Sequence, residues 1–231
     1  MVNVCSFEIP RDEFNRKLGG GFPPGSLVVM EGGSGSGKST ICQRTIFGML
    51  ENENSVTFVS TQQTTKGFIN QMYSLDYPIA PYLLNGSLLF IPVIPLVQAA
   101  KSRIDFLERL MGAQELFEND IIVIDTISSL IKYSVDNEKS LDLISFFKKL
   151  NGMGKIIILT VEPSQLSEDI TSMFRSSCDI YISLKVKPMA NEVKRTVVVN
   201  KFTGAKGPVG QMIGFRIEPR VGLVVEIAAV G

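Results

Sequence analysis

The chain has 231 residues, 45% hydrophobic and 20% charged, and its 23 basic and 23 acidic side chains give a formal net charge of +0. This composition predicts a globular protein with a full hydrophobic core, and the balanced charge argues against a general polyanion-binding protein, which carries a marked basic excess. The sequence contains no histidine, which excludes imidazole metal ligands and Ser-His-Asp triads from its chemistry.

The cysteines and the apolar segments indicate a cytoplasmic protein. Cys5, Cys42 and Cys178 are odd in number and far apart, so they predict free thiols rather than a disulfide framework or a zinc site. The segment 1–14 has no apolar core of the kind found in signal peptides. The most apolar stretch, 83–100, is interrupted by Asn, Gly and two Pro residues, so no transmembrane segment is predicted.

Strand and helix patterns alternate along the chain up to Cys178. Five short apolar runs predict strands: Ser26–Glu31, Val56–Thr61, Leu88–Val93, Ile121–Asp125 and Lys155–Val161. Four longer runs between them predict helices: Ser39–Leu50, Thr65–Tyr73, Leu96–Met111 and Leu141–Leu150. Because the strands are apolar without alternation, we expect an α/β fold with a doubly wound, mainly parallel sheet and helices on both faces.

The pattern changes after Cys178, where helices no longer separate the strands. The predicted strands are Asp179–Lys187, Lys194–Phe202, Met212–Ile217 and Leu223–Ile227. Turn residues between them predict antiparallel hairpins that extend one edge of the same sheet. Because no Pro- or Ser-rich linker precedes these hairpins, we expect one domain over residues 1–231.

The sharpest motif is the segment 32–39, Gly-Gly-Ser-Gly-Ser-Gly-Lys-Ser, which matches the phosphate-loop pattern G-x-x-x-x-G-K-[ST] in full. Its glycines let backbone N–H groups converge on phosphate oxygens, Lys38 would reach the β- and γ-phosphates, and the Ser39 hydroxyl would ligate Mg²⁺. The alternative, a flexible connection, gives no reason for Lys-Ser at the start of a helix. The predicted nucleotide-binding residues are Gly32, Gly33, Ser34, Gly35, Ser36, Gly37, Lys38, Ser39 and Thr40.

Asp125 is the second candidate of the site, because it ends the apolar strand 121–124. In phosphate-loop NTPases a carboxylate at such a position lies on the Mg²⁺ side of the nucleotide. The other interpretation is an N-cap for the segment that follows, since Asp is a good capping residue. With a complete phosphate loop upstream, the sequence favours Ser39 and Asp125 as the metal-side pair.

The entrance to the phosphate loop carries a family resemblance. Residues 14–26 read Phe-Asn-Arg-Lys-Leu-Gly-Gly-Gly-Phe-Pro-Pro-Gly-Ser, and this segment, the strand ending at Asp125 and the terminal hairpins resemble the RecA/KaiC-like ATPases over the whole chain. With the segment 59–64, the chain is most similar to the KaiC-like accessory proteins of the archaeal flagellum (archaellum) motor. The resemblance implies ATP and Mg²⁺ as cofactors and a hexameric ring. It also implies contacts with the motor ATPase and a membrane-associated scaffold, peripheral to the membrane.

Two departures from the family pattern bear on hydrolysis. Where hydrolysing KaiC-like proteins place a pair of Glu residues, one of which activates the attacking water, this chain has Gln62 and Gln63. Where active rings place a Lys-x-Arg that reaches the neighbour's γ-phosphate, this chain keeps Lys201 but has Thr203 at the Arg position. A general base contributes about 10²–10⁴-fold and an arginine finger about 10³–10⁵-fold. We therefore expect nucleotide binding with weak or absent hydrolysis, and no catalytic residue is predicted.

Two side chains keep a hydrolysing ATPase open as the alternative. Glu162, just after the strand that ends near Thr160, could replace the missing acid, or it could be an exposed residue at a strand exit. A Gln also suffices to orient water in some GTPases when an Arg is supplied by a partner. By resemblance, Thr160 occupies the position of a γ-phosphate sensor.

The neutral total charge conceals two oppositely charged segments. Residues 105–142 hold nine acidic against three basic side chains, a net −6, and residues 185–207 hold six basic against one acidic, a net +5. Solvated, lysine-protected edge strands explain the second segment, and a head-to-tail contact between copies explains both. A DNA-binding recombination mediator is the remaining alternative, but Phe202 is the one aromatic residue between Asn191 and Gly214, so the stacking platform for single strands is missing.

Overall fold

The computed structural model describes residues 3–93, 106–189 and 192–226. Their strands form one nine-stranded sheet of order β3-β2-β4-β5-β1-β6-β7-β8-β9. The strands are β1 Leu27–Gly32, β2 Val56–Ser60, β3 Leu88–Pro92, β4 Ile121–Asp125, β5 Ile156–Val161, β6 Ile180–Met189, β7 Glu192–Phe202, β8 Met212–Glu218 and β9 Gly222–Glu226. The helices are α1 Phe14–Lys17, α2 Lys38–Glu51, α3 Thr65–Ser74, α4 Ala80–Leu84, α5 Phe106–Gly112, α6 Ile127–Ile131, α7 Asn137–Gly152 and α8 Glu168–Ser177, with 3-10 turns at Gln114–Phe117 and Pro163–Gln165.

The sheet is parallel from β3 to β6 and both of its faces are covered. Along β1, Val28 and Met30 belong to the core cluster that contains the apolar residues of α2 and α3. Leu27 and Val29 point to the opposite face, into a second cluster with α5, α6, α7 and α8. All six β1 residues are buried, which explains why the first four, 27–30, are apolar without alternation. The predicted doubly wound α/β fold is confirmed.

The strands after Cys178 form the predicted antiparallel extension. The first of them, β6, pairs in parallel with β1, and β6, β7, β8 and β9 then pair as successive antiparallel neighbours. The strands β6 and β7 are ten and eleven residues long, longer than the sequence pattern predicts. The end of the last predicted strand, Ile227, lies outside the described residues.

Helix boundaries differ from the predicted ones in three places. The helix predicted over Leu96–Met111 is described only as α5, because residues 94–105 lie outside the described ranges. The predicted Leu141–Leu150 helix begins at Asn137, where the Asp136 side chain accepts a hydrogen bond from the Lys139 backbone N–H. The short helices α1, α4 and α6 and the longer α8 are not among the predicted elements. The Ser167 hydroxyl caps α8, and two acidic residues occupy its first turn. None of the described helices is long and apolar enough to cross a bilayer.

Candidate nucleotide-binding site

The phosphate loop lies between β1 and α2 at the carboxyl edge of the parallel strands. Gly35 and Gly37 have φ angles of +72° and +96°, a left-handed conformation that favours glycine. A Cβ on Gly32 would lie 2.5 Å from Ser36 Oγ and 3.0 Å from Leu184 Cβ, so a side chain there would displace the loop. Gly32, Gly35 and Gly37 are therefore required by the turn itself.

The loop presents unpaired donors to an anion. Gly37 occupies the N-cap of α2 without a side-chain cap, so the first N–H groups of this fourteen-residue helix remain free. Ser36 Oγ is buried and has no hydrogen-bond partner among the described residues. The space where a Cβ would stand on Gly33 or Gly35 is open. These features fit a phosphate group cradled by the loop.

Lys38 lies at the centre of this cradle. Its side chain is buried, and Nζ donates to the carbonyl oxygens of Gly32 and Gly33 at 2.7 and 2.8 Å. Burial lowers the pKa of Lys38 below its ordinary value, while the charges of Glu162 and Asp125 oppose that shift. Within the part of the chain that the structure describes, this ammonium is held by two neutral carbonyls and has no direct ionic partner, which suits it to receive phosphate oxygens.

Asp125 meets the start of α2 from the end of β4. It is 2% exposed, and its Oδ1 accepts a 2.7 Å hydrogen bond from Thr160 Oγ1 at the end of β5. Burial raises the pKa of Asp125, and hydrogen bonds from Thr160, Ser39 and Thr126 oppose the increase. The Asp125–Thr126 peptide bond is cis. A hydroxyl and a carboxylate in contact provide the oxygen ligands that Mg²⁺ prefers, so Ser39 and Asp125 fit the predicted metal side.

The N-cap interpretation of Asp125 does not match the geometry. Thr126 occupies the N-cap of the short helix α6, and neither residue caps it through a side chain. The carboxylate of Asp125 instead turns toward Ser39 and Thr160.

The two glutamines lie beside this carboxylate. Ser60 Oγ, at the end of β2, accepts the backbone N–H groups of both Gln62 and Gln63. Gln62 Nε2 lies 3.4 Å from Thr126 Oγ1, next to Asp125. Gln63 is oriented differently, because its Oε1 accepts a 3.0 Å hydrogen bond from Nε2 of the buried Gln43 on α2. Two side chains that follow β2 at this edge of the sheet are therefore amides with different hydrogen-bond partners.

Glu162 is half-buried near the same edge. Its backbone N–H donates to Ser128 Oγ, and its carboxylate accepts weak hydrogen bonds from Ser164 and Gln165. Its charge contributes to the pKa of Lys38, which places Glu162 within electrostatic reach of the phosphate loop.

Lys201 does not join this group within one chain. It lies opposite Tyr181 on β6, and its Nζ donates to the carbonyl oxygens of Ser176 and Cys178 at the end of α8. The backbone N–H of Thr203 donates to the Asp179 carbonyl. Any contact of these two residues with a phosphate would therefore involve another copy.

Sequence reasoning missed two side chains that touch the phosphate loop from the terminal strands. Arg195 Nε on β7 lies 3.4 Å from the Gly35 carbonyl oxygen. The ring of Phe215 on β8 lies 3.1 Å from the position of a Cβ on Gly37. These partners are 160 or more residues away in sequence, so no local pattern indicates them.

A second group of side chains that was not predicted holds the residue just before the phosphate loop. Glu31, the β1 residue just before the loop, accepts two 2.7 Å hydrogen bonds from the Arg175 guanidinium on α8. The Tyr181 hydroxyl donates to the same carboxylate at 3.0 Å, and burial, followed by the charge of Glu31, raises the pKa of Tyr181 to about 12. Nothing in the local sequence around Arg175 indicates a partner as distant as Glu31.

Comparison with known proteins identifies related chains. The profile of a family described as "ATPase: KaiC" matches residues 11–228. The archaeal flagellar ATP-binding protein FlaH of Methanocaldococcus jannaschii is 40% identical over 230 residues, covering 100% of this chain and 99% of that protein. FlaH of Methanococcus voltae is 37% identical over 229 residues, covering 99% and 100%. The crystal structure of the flagellar accessory protein FlaH from M. jannaschii superposes with a TM-score of 0.93 and covers 98% of this chain and 100% of that one.

Proposed function

The chain belongs to the KaiC family of ATPases and, within it, to the FlaH group of archaeal flagellar ATP-binding proteins, and we propose that it is the ATP-binding regulatory component of an archaellum motor. Residues 1–231 act as one nucleotide-binding domain. Bound ATP and Mg²⁺ control assembly of a homo-oligomeric, hexameric ring and its contacts with the motor ATPase and a membrane-associated scaffold. The protein works in the cytoplasm at the membrane-embedded motor, with little or no intrinsic hydrolysis.

One contrast supports this proposal: the residue types that bind phosphate and Mg²⁺ are all present, whereas glutamines stand where the family resemblance implies a hydrolytic base. The loop donors, Lys38 and the contact between Ser39 and Asp125 suit ATP with Mg²⁺. Gln62, beside Thr126, cannot take a proton from water, and Gln63 is hydrogen-bonded to Gln43. A carboxamide in place of the base spares binding and lowers turnover.

The experiment compares how long the protein retains ATP with how fast it hydrolyses it. Purified protein is loaded with ATP and Mg²⁺, freed of excess nucleotide, and the bound nucleotide is analysed over time. We expect intact ATP to persist over many minutes. Turnover at ordinary enzyme rates of about 1 s⁻¹ or more would contradict the proposal.

A hydrolysing ATPase is the second candidate, and the position of Glu162 favours it. This carboxylate contributes to the pKa of Lys38 and has only weak hydrogen bonds at 3.4 Å to Ser164 and Gln165. If Glu162 is the base, Glu162→Gln abolishes turnover while ATP binding persists. Glu115→Gln, on the exposed 3-10 turn Gln114–Phe117, is the control and should leave turnover unchanged.

A further inference from the structure

The ends of β6 and β7 form an arm that projects past the sheet. The strand β6 pairs with β1 only as far as Leu184, which lies opposite Gly32, and β8 pairs with β7 only from Arg195 onward. Lys187 and Pro188 pair with Lys194 and Val193, whereas Lys185 and Val186 pair with Thr196 and Arg195, the first β7 residues that also pair with β8. Residues 185–188 thus extend past β1, and residues 193–194 extend past the pairing with β8. We call these residues the hairpin arm.

The hairpin arm has one apolar and one basic face. Directly opposed residues of an antiparallel pair share a face, so Val186, Pro188 and Val193 lie on one side, together with Arg195 at the base of the arm, and Lys185, Lys187 and Lys194 lie on the other. Val186 is 41% and Val193 50% exposed.

The basic face has no ion-paired counter-charge among the described residues. Lys187 lies directly opposite Lys194, an unfavourable pairing of like charges. Across the part of the chain that the structure describes, none of the three arm lysines forms an ion pair. An acidic partner surface would relieve this repulsion.

A cleft with predominantly acidic surroundings opens at the carboxyl ends of β4 and β5. It has a volume of about 560 Å³ and lies between the connection from α6 to α7 and the start of α8. Its apolar lining is Val135, Leu166 and Ile170. This volume falls within the range of about 300–1,000 Å³ found for ligand clefts.

The surroundings of the cleft are predominantly acidic. Asp136 and Glu138 line it, Asp142 follows Glu138 by one turn on the same side of α7, and two acidic residues of α8 follow the lining residue Ser167. Lys132 and Lys139 are the cations of this region within the described residues. The acidic side chains are Asp136, Glu138, Asp142, Glu168 and Asp169.

We propose that this cleft receives the hairpin arm of a second copy of the chain, with Val186 and Val193 against its apolar lining and the arm lysines beside Glu138 and Asp142. The contact joins two different surfaces, so it is head-to-tail and propagates from copy to copy, as ring assembly requires. Within one chain, β1 and its phosphate loop lie between arm and cleft. The inference rests on the proposed function only for the statement that the protein self-associates.

The base of the hairpin arm also contacts the phosphate loop. Arg195, at its base, lies 3.4 Å from the carbonyl oxygen of Gly35 in the phosphate loop. A change of loop conformation on nucleotide binding therefore acts directly on the element that enters the neighbouring copy.

The test reverses the charges on the arm or at the cleft and measures self-association by sedimentation velocity, at low salt with saturating ATP and Mg²⁺. Lys187→Glu/Lys194→Glu in the arm and Glu138→Lys/Asp142→Lys at the cleft should each weaken self-association by about tenfold or more. Mixing the two variants should restore it, because each then offers one complementary pair of surfaces. Lys66→Glu/Lys149→Glu and Glu115→Lys, with exposed charges elsewhere, are the controls and should associate like the parent chain.

Equilibrium binding of ATP to each variant separates this inference from the proposed function. Self-association that is absent in the parent chain, unaffected by both reversals, or not restored on mixing overturns the contact between arm and cleft. Retention of ATP in those variants leaves the proposed nucleotide binding standing. Loss of ATP binding in the parent chain would instead contradict the proposed function.

Discussion

At the scale of single residues, the two neighbouring glutamines have different surroundings. Gln62 is exposed and reaches Thr126 beside Asp125, whereas Gln63 is hydrogen-bonded to the buried Gln43. We expect Gln62→Glu to raise ATP turnover by about 10² or more, because it returns a general base to the side of the metal. Phosphate release at saturating ATP measures this.

The companion variant Gln63→Glu is the control for position. Its carboxylate would remain the acceptor of the Gln43 amide, so we expect a much smaller gain. Equal gains from both variants would show that the orientation of Gln63 does not matter. No gain from either would place the cause of slow hydrolysis elsewhere.

Substitutions of Lys38 and of Asp125 should weaken ATP binding in different ways. Lys38→Ala removes charge-assisted hydrogen bonds worth about 1.5–3 kcal/mol each, so ATP affinity should fall by tenfold or more with or without metal. Asp125→Asn keeps the buried volume and should weaken binding in Mg²⁺ but change it little in EDTA. Titration of a fluorescent ATP analogue under both conditions measures the difference, and an equal loss in EDTA would argue against a metal-side role for Asp125.

At the scale of elements, the N-terminal segment is fastened to α2 by a buried ion pair. Arg44 donates to both carboxylate oxygens of Asp12 at 2.6 Å and to the Phe7 carbonyl at 2.7 Å, and both charged side chains are almost fully buried. A Cβ on Gly48 would lie 2.1 Å from the same carbonyl oxygen, so the helix and the segment are in direct contact.

Breaking this pair should destabilise the fold strongly. We expect Arg44→Leu to lower the free energy of unfolding by about 3–5 kcal/mol, because it leaves the buried Asp12 carboxylate without a counter-charge, with the Phe14 backbone N–H as its remaining donor. The double variant Asp12→Leu/Arg44→Leu should lose less, since no uncompensated charge remains. Urea denaturation followed by circular dichroism measures both, with Asp76→Asn in the exposed pair with Arg11 as a control worth about 1 kcal/mol or less. A double variant no more stable than the single one would refute the explanation.

The same scale shows what the sequence can and cannot predict. The phosphate loop, β1 and α2 are contiguous, so their glycine pattern and apolar periodicity predict them together. The sequence predicts the long helix α7 but places its start too late, because the first turn of the helix is polar. Contacts such as Arg195 with Gly35, or Arg175 with Glu31, join residues 160 and 144 positions apart. Those depend on the strand order of the sheet, which local patterns do not encode.

At the scale of the whole molecule, the nucleotide site lies between the two surfaces proposed for assembly. The phosphate loop follows β1, the cleft lies at the ends of β4 and β5, and the hairpin arm continues β6 on the other side. The zero net charge of the chain thus conceals an acidic and a basic surface, with the ligand site between them. Such an arrangement allows occupancy of the site to alter how copies meet.

If ATP favours assembly, then assembly must favour ATP by the same factor, because the coupling of two binding equilibria is reciprocal. We expect ATP with Mg²⁺ to strengthen self-association by about 5–150-fold, the usual range of such coupling. ATP affinity should accordingly be higher at protein concentrations where the chain is assembled than where it is monomeric. Lys38→Ala should associate equally with and without ATP, and Lys187→Glu/Lys194→Glu should bind ATP with the same affinity at all protein concentrations. An ATP affinity that is independent of protein concentration in the parent chain would mean that nucleotide and assembly are uncoupled, whatever the structure of the ring.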